Sequence, residues 1–212
     1  MTKKDLPKII PIFPLSKAIF FPRTILPLNI FEERYLQLVN DCMKESRMFG
    51  MIQPKNKFKK NPQLYTVGCL GKISSCIQTN DKRYLITLSG ITRFRIKEEV
   101  NSEKLYRKFV VDYSEFVKDL EYKKNYSLNF NKNNLLKKIQ LFFKKMNYSL
   151  EYQELLKLNF DQLISTVCMI APFSIEEKQK IIETIKIEDK LNSLEKIINF
   201  NLASAEINQT IQ

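Results

Sequence analysis

The sequence predicts an α+β protein with a β-rich first half and a helical second half. Two observations support this prediction: apolar residues alternate with a period of two over much of residues 1–116, and they recur every three to four residues after about residue 134. Because 44% of the 212 residues are hydrophobic, the chain can bury a sizeable core. We expect a strongly bent sheet or partly closed barrel with one helix, followed by a C-terminal α-helical bundle.

Two apolar segments interrupted by prolines open the chain. Residues 9–15 and 25–28 are predicted as strands, and their prolines favour edge positions because proline cannot donate to a strand ladder. Asn29, with Glu32 three residues later, is typical of a helix N-cap. An amphipathic helix is therefore predicted over residues 30–46, with this apolar stripe: Phe31, Tyr35, Leu38, Val39 and Cys42.

Short strands are predicted on either side of a long loop. Residues 49–53 are apolar enough for a strand, whereas residues 54–63 are rich in Lys, Asn and Pro and are predicted as a solvated loop. Residues 105–116 alternate in the pattern of a last strand. When the strands predicted between Val67 and Lys97 are included, the first half is expected to contain six or so strands.

The strongest strand signal runs from Val67 to Lys97. Asn80-Asp81 suits a two-residue hairpin turn, after which one long strand should pass through Gly90. We expect that strand to bend or bulge there, because glycine has no side chain to obstruct it. Three arginines alternate with the apolar residues and should share one face, either as solvated surface or as a binding stripe: Arg83, Arg93 and Arg95.

The apolar period changes near residue 117. Residues 118–134 are polar and rich in Lys and Asn, which predicts a linker. The predicted organisation is therefore a β domain at 1–117, this linker, and a helical bundle at 135–212.

Local signals place helix ends within the predicted bundle. Pro172 predicts the end of a helix, and Ser174 with Glu177 is the pattern of a capping box that opens the next one. Apolar residues spaced by three and four from Ile187 to Leu202 predict a long terminal helix.

Composition excludes several kinds of active site. The chain has no histidine, so it cannot supply a Ser-His-Asp triad, a Cys-His pair or a histidine ligand for zinc. Its four cysteines lack CxxC spacing, and its four glycines form no phosphate-binding loop. We therefore expect no enzyme, no cofactor and no metal, and we expect the cysteines to be free thiols in a reducing compartment.

The chain is strongly basic, with a formal net charge of +12 and its densest run of lysines in the loop 55–60. Such charge attracts nucleic-acid phosphates or anionic lipid. However, 28 of the 35 cations are lysine, which gives solvated charge rather than planar, bidentate contacts. Nucleic acid is therefore the less favoured partner. Prolines interrupt the N-terminal apolar segment and no window approaches a membrane span, so we expect a cytoplasmic protein.

Several ordered motifs resemble one known family. They are Pro11–Leu15, Phe21–Tyr35, Phe49–Pro54, Leu64–Gly71, Arg83–Ile96 and, further on, Ala171–Gln179. These motifs are similar to those of the Lon N-terminal domain, the substrate-binding domain of ATP-dependent protease La, in a short, free-standing form. The resemblance implies a PUA-like β fold with a helical bundle, which that protease uses to engage protein substrates and to help assemble its hexamer.

The function implied by this resemblance is that of a non-catalytic module that binds proteins or peptides. The sequence contains neither a Walker motif nor a recognisable Ser-Lys peptidase segment. The expected partners are unfolded or exposed hydrophobic protein segments, with a protease or chaperone as companion, and self-association is left open. An adaptor or regulator in protein quality control would fit this description.

Candidate residues follow from the same motifs. The peptide-binding candidates lie near the junction of the second strand and the helix: Pro27, Phe31, Glu32, Arg34 and Tyr35. Arg34 and Tyr35 could border a groove for an extended peptide, whereas a purely structural role for these residues is the alternative. The alternative function is that of a PUA-like RNA-binding protein, with these candidates: Arg83, Arg93 and Arg95.

Overall fold

A computed structural model of the chain describes residues 5–16, 18–55, 61–121 and 131–210. The chain divides into two compact units, Met1–Tyr122 and Lys123–Gln212. Strands dominate the described part of the first unit and helices that of the second, so the predicted α+β class is confirmed. No helix in the described ranges is both long and apolar enough to cross a membrane.

Strands and one α-helix make up the described part of the first unit. In chain order they are β1 (Ile9–Pro14), β2 (Ile25–Ile30), α1 (Glu33–Lys44), β3 (Met48–Ile52), β4 (Val67–Gln78), β5 (Tyr84–Val100) and β6 (Lys108–Asp112), before a 3₁₀ segment (Ser114–Leu120). The order in the sheet is β2-β5-β4-β3-β1-β6, and β5 also pairs with β6. Five strands thus form a ring, with β2 attached outside it, which confirms the bent sheet.

β1 has neighbouring strands on both sides, so the prediction that it is an edge strand is wrong. Ile9–Pro11 pairs antiparallel with β6, whereas Ile12–Pro14 pairs parallel with β3. Pro11 lies in the ladder with β6 only and Pro14 in the ladder with β3 only, whereas Ile12 pairs with β3 and also donates its N–H to the Arg107 carbonyl at 2.9 Å. Each proline is tolerated because one of its two sides has no ladder to break. The edge prediction is correct for β2, which pairs with β5 and with no other strand among the described residues.

α1 begins later than the sequence predicted. Asn29 and Ile30 lie opposite Leu85 and Tyr84 in the sheet, so their backbone cannot begin a helix. The N-cap is Glu32, whose side chain makes no capping hydrogen bond, and the predicted cap at Asn29 is wrong. The rest of the predicted stripe is buried on α1, whereas Phe31 precedes the helix and is exposed.

The hairpin between β4 and β5 turns through three residues, and not through the predicted two. The Thr79 N–H donates to the Arg83 carbonyl and the Lys82 N–H donates to the Thr79 carbonyl, both at 3.0 Å. Lys82 has a φ of 64°, the left-handed conformation expected at the third position of such a loop.

β5 is a single strand with a bulge beside Gly90, as predicted. Gly90 lies opposite Gly71 and Thr92 lies opposite Leu70, so Ile91 is an extra residue in the strand. An extra residue reverses the alternation of side chains between the two faces. Arg83 therefore lies on the face opposite to that of Arg93 and Arg95, and the predicted arginine stripe is wrong.

The bulge lies directly under the segment that precedes β2. A β-carbon at Gly90 would be 2.0 Å from the carbonyl oxygen of Phe21. The Gly90 N–H donates to the Thr24 carbonyl and its own carbonyl accepts from the Arg23 N–H, both at 2.9 Å. Only glycine fits at this position because any side chain would displace the backbone that crosses it.

An apolar cluster draws buried residues from all five strands of the ring. Its members are Leu6, Ile10, Ile12, Met48, Ile52, Leu64, Leu70, Phe94, Phe109, Val111 and Tyr113. Beside it, Tyr35 of α1 packs on Phe13 of β1 with ring centroids 4.1 Å apart. These contacts fix α1 against the sheet.

A buried ion pair joins β5 to the 3₁₀ segment. Arg93 donates from Nε and Nη2 to the two carboxylate oxygens of Asp119 at 2.8 and 2.9 Å, and its backbone N–H donates at 3.0 Å. The Arg93 and Asp119 side chains are 3% and 9% exposed. The guanidinium also lies 4.6 Å from the centre of the Phe116 ring. Removing either partner would leave a charge in the interior without compensation.

Five helices form the described part of the second unit. They are α2 (Lys132–Lys145), α3 (Tyr152–Lys157), α4 (Phe160–Ile170), α5 (Ile175–Glu183) and α6 (Ile187–Thr210). α6 packs against α2, α4 and α5, in agreement with the helical bundle predicted here. The capping box is confirmed: Ser174 Oγ accepts from the Glu177 N–H at 3.1 Å, and Glu177 Oε2 accepts from the Ser174 N–H at 2.8 Å.

The predicted linker at 118–134 lies only partly within the described residues. Residues 118–120 belong to the 3₁₀ segment and residues 132–134 begin α2, whereas residues 122–130 lie outside the described part. The domain boundaries at residues 117 and 134 stay a prediction.

The buried ion pair predicts an unequal response to two carboxylate substitutions. Asp119→Asn should lower the free energy of unfolding by about 3 kcal/mol, because Arg93 would keep a buried charge opposite a neutral group. Glu115→Gln is the matched control, since Glu115 pairs with Arg95 at the surface and should contribute no more than about 1 kcal/mol. Urea unfolding followed by circular dichroism measures both, and equal losses would contradict the prediction.

Gly90 provides a second test of the fold. Gly90→Ala should lower the melting temperature by about 10 °C or more, because the added methyl group meets the Phe21 carbonyl. Ser89→Ala, one residue earlier and half-buried, should leave the melting temperature within about 2 °C. A thermal melt of the Gly90 variant that overlays that of the unsubstituted protein would show that the close approach is not needed.

Candidate peptide-binding surface

The candidate site is an exposed surface on the first half of β5 and on its two neighbouring strands. Leu85 of β5 lies opposite Asn29 of β2 on one side and opposite Ile77 of β4 on the other. Residues directly opposite each other in antiparallel strands share a face of the sheet. Because side chains alternate between the two faces of a strand, Ile25 and Pro27 of β2 lie on the same face as Asn29.

Phe31 extends the same surface beyond the end of β2. The Arg83 guanidinium lies 5.9 Å from the centre of its ring, so the two residues lie side by side. The exposed fractions are 65% for Ile25, 62% for Phe31, 60% for Ile77 and 46% for Leu85, and Pro27 is exposed too. We call this surface the outer face, defined by Ile25, Pro27, Phe31, Ile77 and Leu85.

The opposite face of the same strands is buried, and it contacts α1 through Tyr84. Ile86 and Leu88 are buried there, and the Tyr84 hydroxyl donates to Asn40 Oδ1 of α1 at 2.7 Å. An antiparallel sheet packed on one side normally exposes polar residues on the other. The outer face carries polar residues such as Ser75 and Thr87, but it also exposes five apolar side chains, and such a group of exposed apolar side chains indicates an interaction surface.

Charged residues border the outer face at the hairpin. Arg83 and Asp81 form an ion pair at 2.8 Å in which both side chains are about half exposed. A hydrogen bond from the Thr79 hydroxyl, followed by the nearby Arg83, holds the pKa of Asp81 below its usual range. Asp81 is thus an anion at neutral pH, and its charge is compensated by Arg83.

The structure separates the five predicted peptide-binding candidates into three groups. Pro27 and Phe31 lie on the outer face. Glu32 and Arg34 pair with each other, with Arg34 Nη2 donating to Glu32 Oε2 at 2.8 Å. Tyr35 is only 4% exposed and belongs to the core, where burial raises its pKa to about 12. Tyr35 therefore cannot border an open groove.

Sequence reasoning missed Ile25, Ile77 and Leu85. Each lies at one of the alternate strand positions whose side chains face away from the buried apolar side. The alternation in Tyr84, Ile86 and Leu88 had already identified the buried face. The apolar residues left over on the opposite face were the signal for the site.

The three RNA-binding candidates do not form one surface. Each arginine is paired with a carboxylate: Arg83 with Asp81, Arg93 with Asp119, and Arg95 with Glu115. A hydrogen bond from Arg95 lowers the pKa of Glu115, so this partner is charged at neutral pH. In the lysine-rich loop 55–60, residues 56–60 lie outside the described residues. RNA binding stays a prediction that no described contact favours.

Reactive and metal-binding groups are not brought together in the described ranges. These ranges contain no group of three or more Cys, Asp and Glu side chains that could hold a metal ion. The four cysteines form no disulfide bonds with one another, and all except Cys76 are buried. Burial raises the pKa of Cys42 and that of Cys168 to about 12, so both are neutral thiols at physiological pH.

Curated relatives of this chain are Lon proteases. Lon protease 2 of Myxococcus xanthus is 26% identical over 203 residues, which cover 94% of this chain and 24% of that protein. The Lon protease of Syntrophus aciditrophicus is 27% identical over 221 residues, covering 98% of this chain and 27% of the relative. The chain thus spans about a quarter of the length of the Lon proteases it matches.

Solved structures share the fold. The Lon N-terminal domain protein from Xanthomonas campestris aligns with a TM-score of 0.61 at 19% identity, over 88% of this chain and 96% of that one. The N-terminal domain of Lon protease from the Mycobacterium avium complex aligns with a TM-score of 0.59 at 13% identity, over 91% and 98%. The family model of the ATP-dependent protease La (LON) substrate-binding domain matches residues 9–199. The chain therefore belongs to this family of substrate-binding domains.

Proposed function

We propose that the outer face binds extended apolar segments of unfolded or misfolded proteins. The observation that carries this proposal is the exposure of five apolar residues on the sheet face opposite the buried Ile86 and Leu88. The family description, a substrate-binding domain, supports the same kind of activity. Contact with an apolar peptide would remove these side chains from water, which is the main driving force of such binding.

The shape of the surface favours an extended ligand. Leu85 and Ile77 lie side by side on neighbouring strands, with Ile25 toward one end of the face and Phe31 toward the other. A peptide lying in extended form over this face, along β5, would contact these apolar side chains in succession. Few residues contribute, so the complex should be weak, with a dissociation constant on the order of micromolar.

The proposed cellular role is that of an adaptor or regulator in protein quality control. The relatives are named as proteases, and the chain corresponds to only about a quarter of their length. We propose that this domain holds unfolded segments in the cytoplasm and makes them available to a protease or chaperone. Its own contribution would be binding, as the description of its family indicates.

Phe31 provides a direct test of the site. Phe31→Ala should weaken binding of reduced, carboxymethylated lysozyme, an unfolded probe, by about tenfold, because an exposed aromatic side chain is a common anchor of binding. Phe200→Ala is the matched control: Phe200 of α6 is 69% exposed, close to the 62% of Phe31, but lies in the other unit. Fluorescence anisotropy of the labelled probe gives both affinities.

A second pair of variants tests the sheet itself. Ile77→Ser combined with Leu85→Ser should abolish detectable binding, whereas Leu141→Ser with Ile185→Ser in the helical unit should not change it. All four side chains are between 46% and 60% exposed, so neither pair removes core packing. Equal loss in both pairs would indicate adhesion to any apolar surface. If an excess of single-stranded RNA displaced the probe, the RNA-binding alternative would be favoured.

A further inference from the structure

An exposed lysine lies at each end of the strand segments that carry the outer face. At one end, Lys72 of β4 lies opposite Ser89 of β5, which in turn lies opposite Ile25 of β2. Ser89 is four residues after Leu85 and therefore lies on the same face of β5, so Lys72, which is opposite Ser89, also lies on the outer face. The Lys72 side chain is exposed. At the other end, Lys82 is exposed in the hairpin loop.

Neither lysine has a carboxylate partner in the part of the chain that the structure describes. The ion pairs of this region use other cations, as in the pair of Arg83 with Asp81. The outer face contributes no acidic side chain of its own along the described strands. Its field is therefore positive at each end and close to neutral in the apolar centre.

The distance between the two lysines corresponds to a short extended peptide. From Ser89, which lies beside Lys72, to Lys82 the chain advances by seven residues. At roughly 3.3 Å per residue this distance is roughly 23 Å, the length of about seven residues in an extended ligand. A peptide lying along β5 would thus place its flanking residues near the two lysines while its centre contacts Ile77 and Leu85.

We infer that the outer face selects apolar segments of about seven residues that carry an acidic residue at each end. This inference rests on the proposed function and names the class of segment that the same surface prefers. Charge complementarity at the rim of a weak interface changes selectivity more than it changes total affinity. Segments flanked by Lys or Arg would meet like charge at both ends and would be disfavoured.

Three labelled peptides with one apolar seven-residue centre test the inference. Their flanks are acidic (Asp-Glu), neutral (Ser-Asn) or basic (Lys-Arg), and binding is measured by fluorescence anisotropy. At about 50 mM salt the acidic peptide should bind about tenfold more tightly than the basic one, with the neutral peptide between them. At about 500 mM salt this difference should nearly vanish, because salt screens exposed charges.

Two double variants distinguish the effect of Lys72 and Lys82 from that of the net charge of the chain. Lys72→Glu with Lys82→Glu should reverse the order of the acidic and basic peptides. Lys180→Glu with Lys186→Glu alters two exposed lysines of the helical unit and lowers the net charge equally, but should keep the original order. If both double variants changed the order alike, the net charge of +12 would explain the selectivity and the inference would be wrong.

The outcomes also separate this inference from the proposed function. If none of the three peptides bound to the unsubstituted protein, the outer face would not be a peptide-binding site and both proposals would fail. If all three bound with equal affinity at low salt, the proposed function would stand and only the charge selectivity would be overturned.

Discussion

The close approach between Gly90 and the Phe21 carbonyl is the constraint on which the first unit depends. β5 pairs with β2 and β4 before this point and with β4 and β6 after it. To change partners the strand must bend sharply, and the chain that leads into β2 crosses it at the bend, where a β-carbon would lie 2.0 Å from the carbonyl oxygen. A glycine and an extra residue, Ile91, meet both requirements at one position.

The bulge also determines what each face of β5 carries. Leu85 and Phe94 are nine positions apart, a spacing that would place them on opposite faces of a regular strand. They lie on the same face because the extra residue reverses the alternation. Leu85 is 46% exposed on the outer face, whereas Phe94 is fully buried in the cluster within the ring of strands. On the opposite face Arg93 is buried against Asp119. One strand thus contributes an apolar residue to the surface and an ion pair to the interior.

Features governed by neighbouring residues could be predicted from the sequence, and features governed by distant pairings could not. The Ser174 capping box and the bulge beside Gly90 follow local rules. The start of α1 depends instead on the pairing of Ile30 with Tyr84, 54 positions away in the chain. For the site, the family motif indicated Pro27 and Phe31. For Ile77 and Leu85 the alternation indicated the face, but that they lie side by side depends on the pairing of β4 with β5.

An exposed apolar face beside an edge strand favours aggregation, and the chain limits that risk in ways that suit transient binding. Pro27 has no N–H to donate, which weakens continuous pairing of β2 with another copy of itself. The net charge of +12 makes copies of the chain repel one another, while an uncharged or acidic segment is not repelled. Both features act against permanent self-assembly and leave the apolar side chains accessible. A surface that stays exposed under these conditions is suited to partners that bind weakly, in extended form, and dissociate.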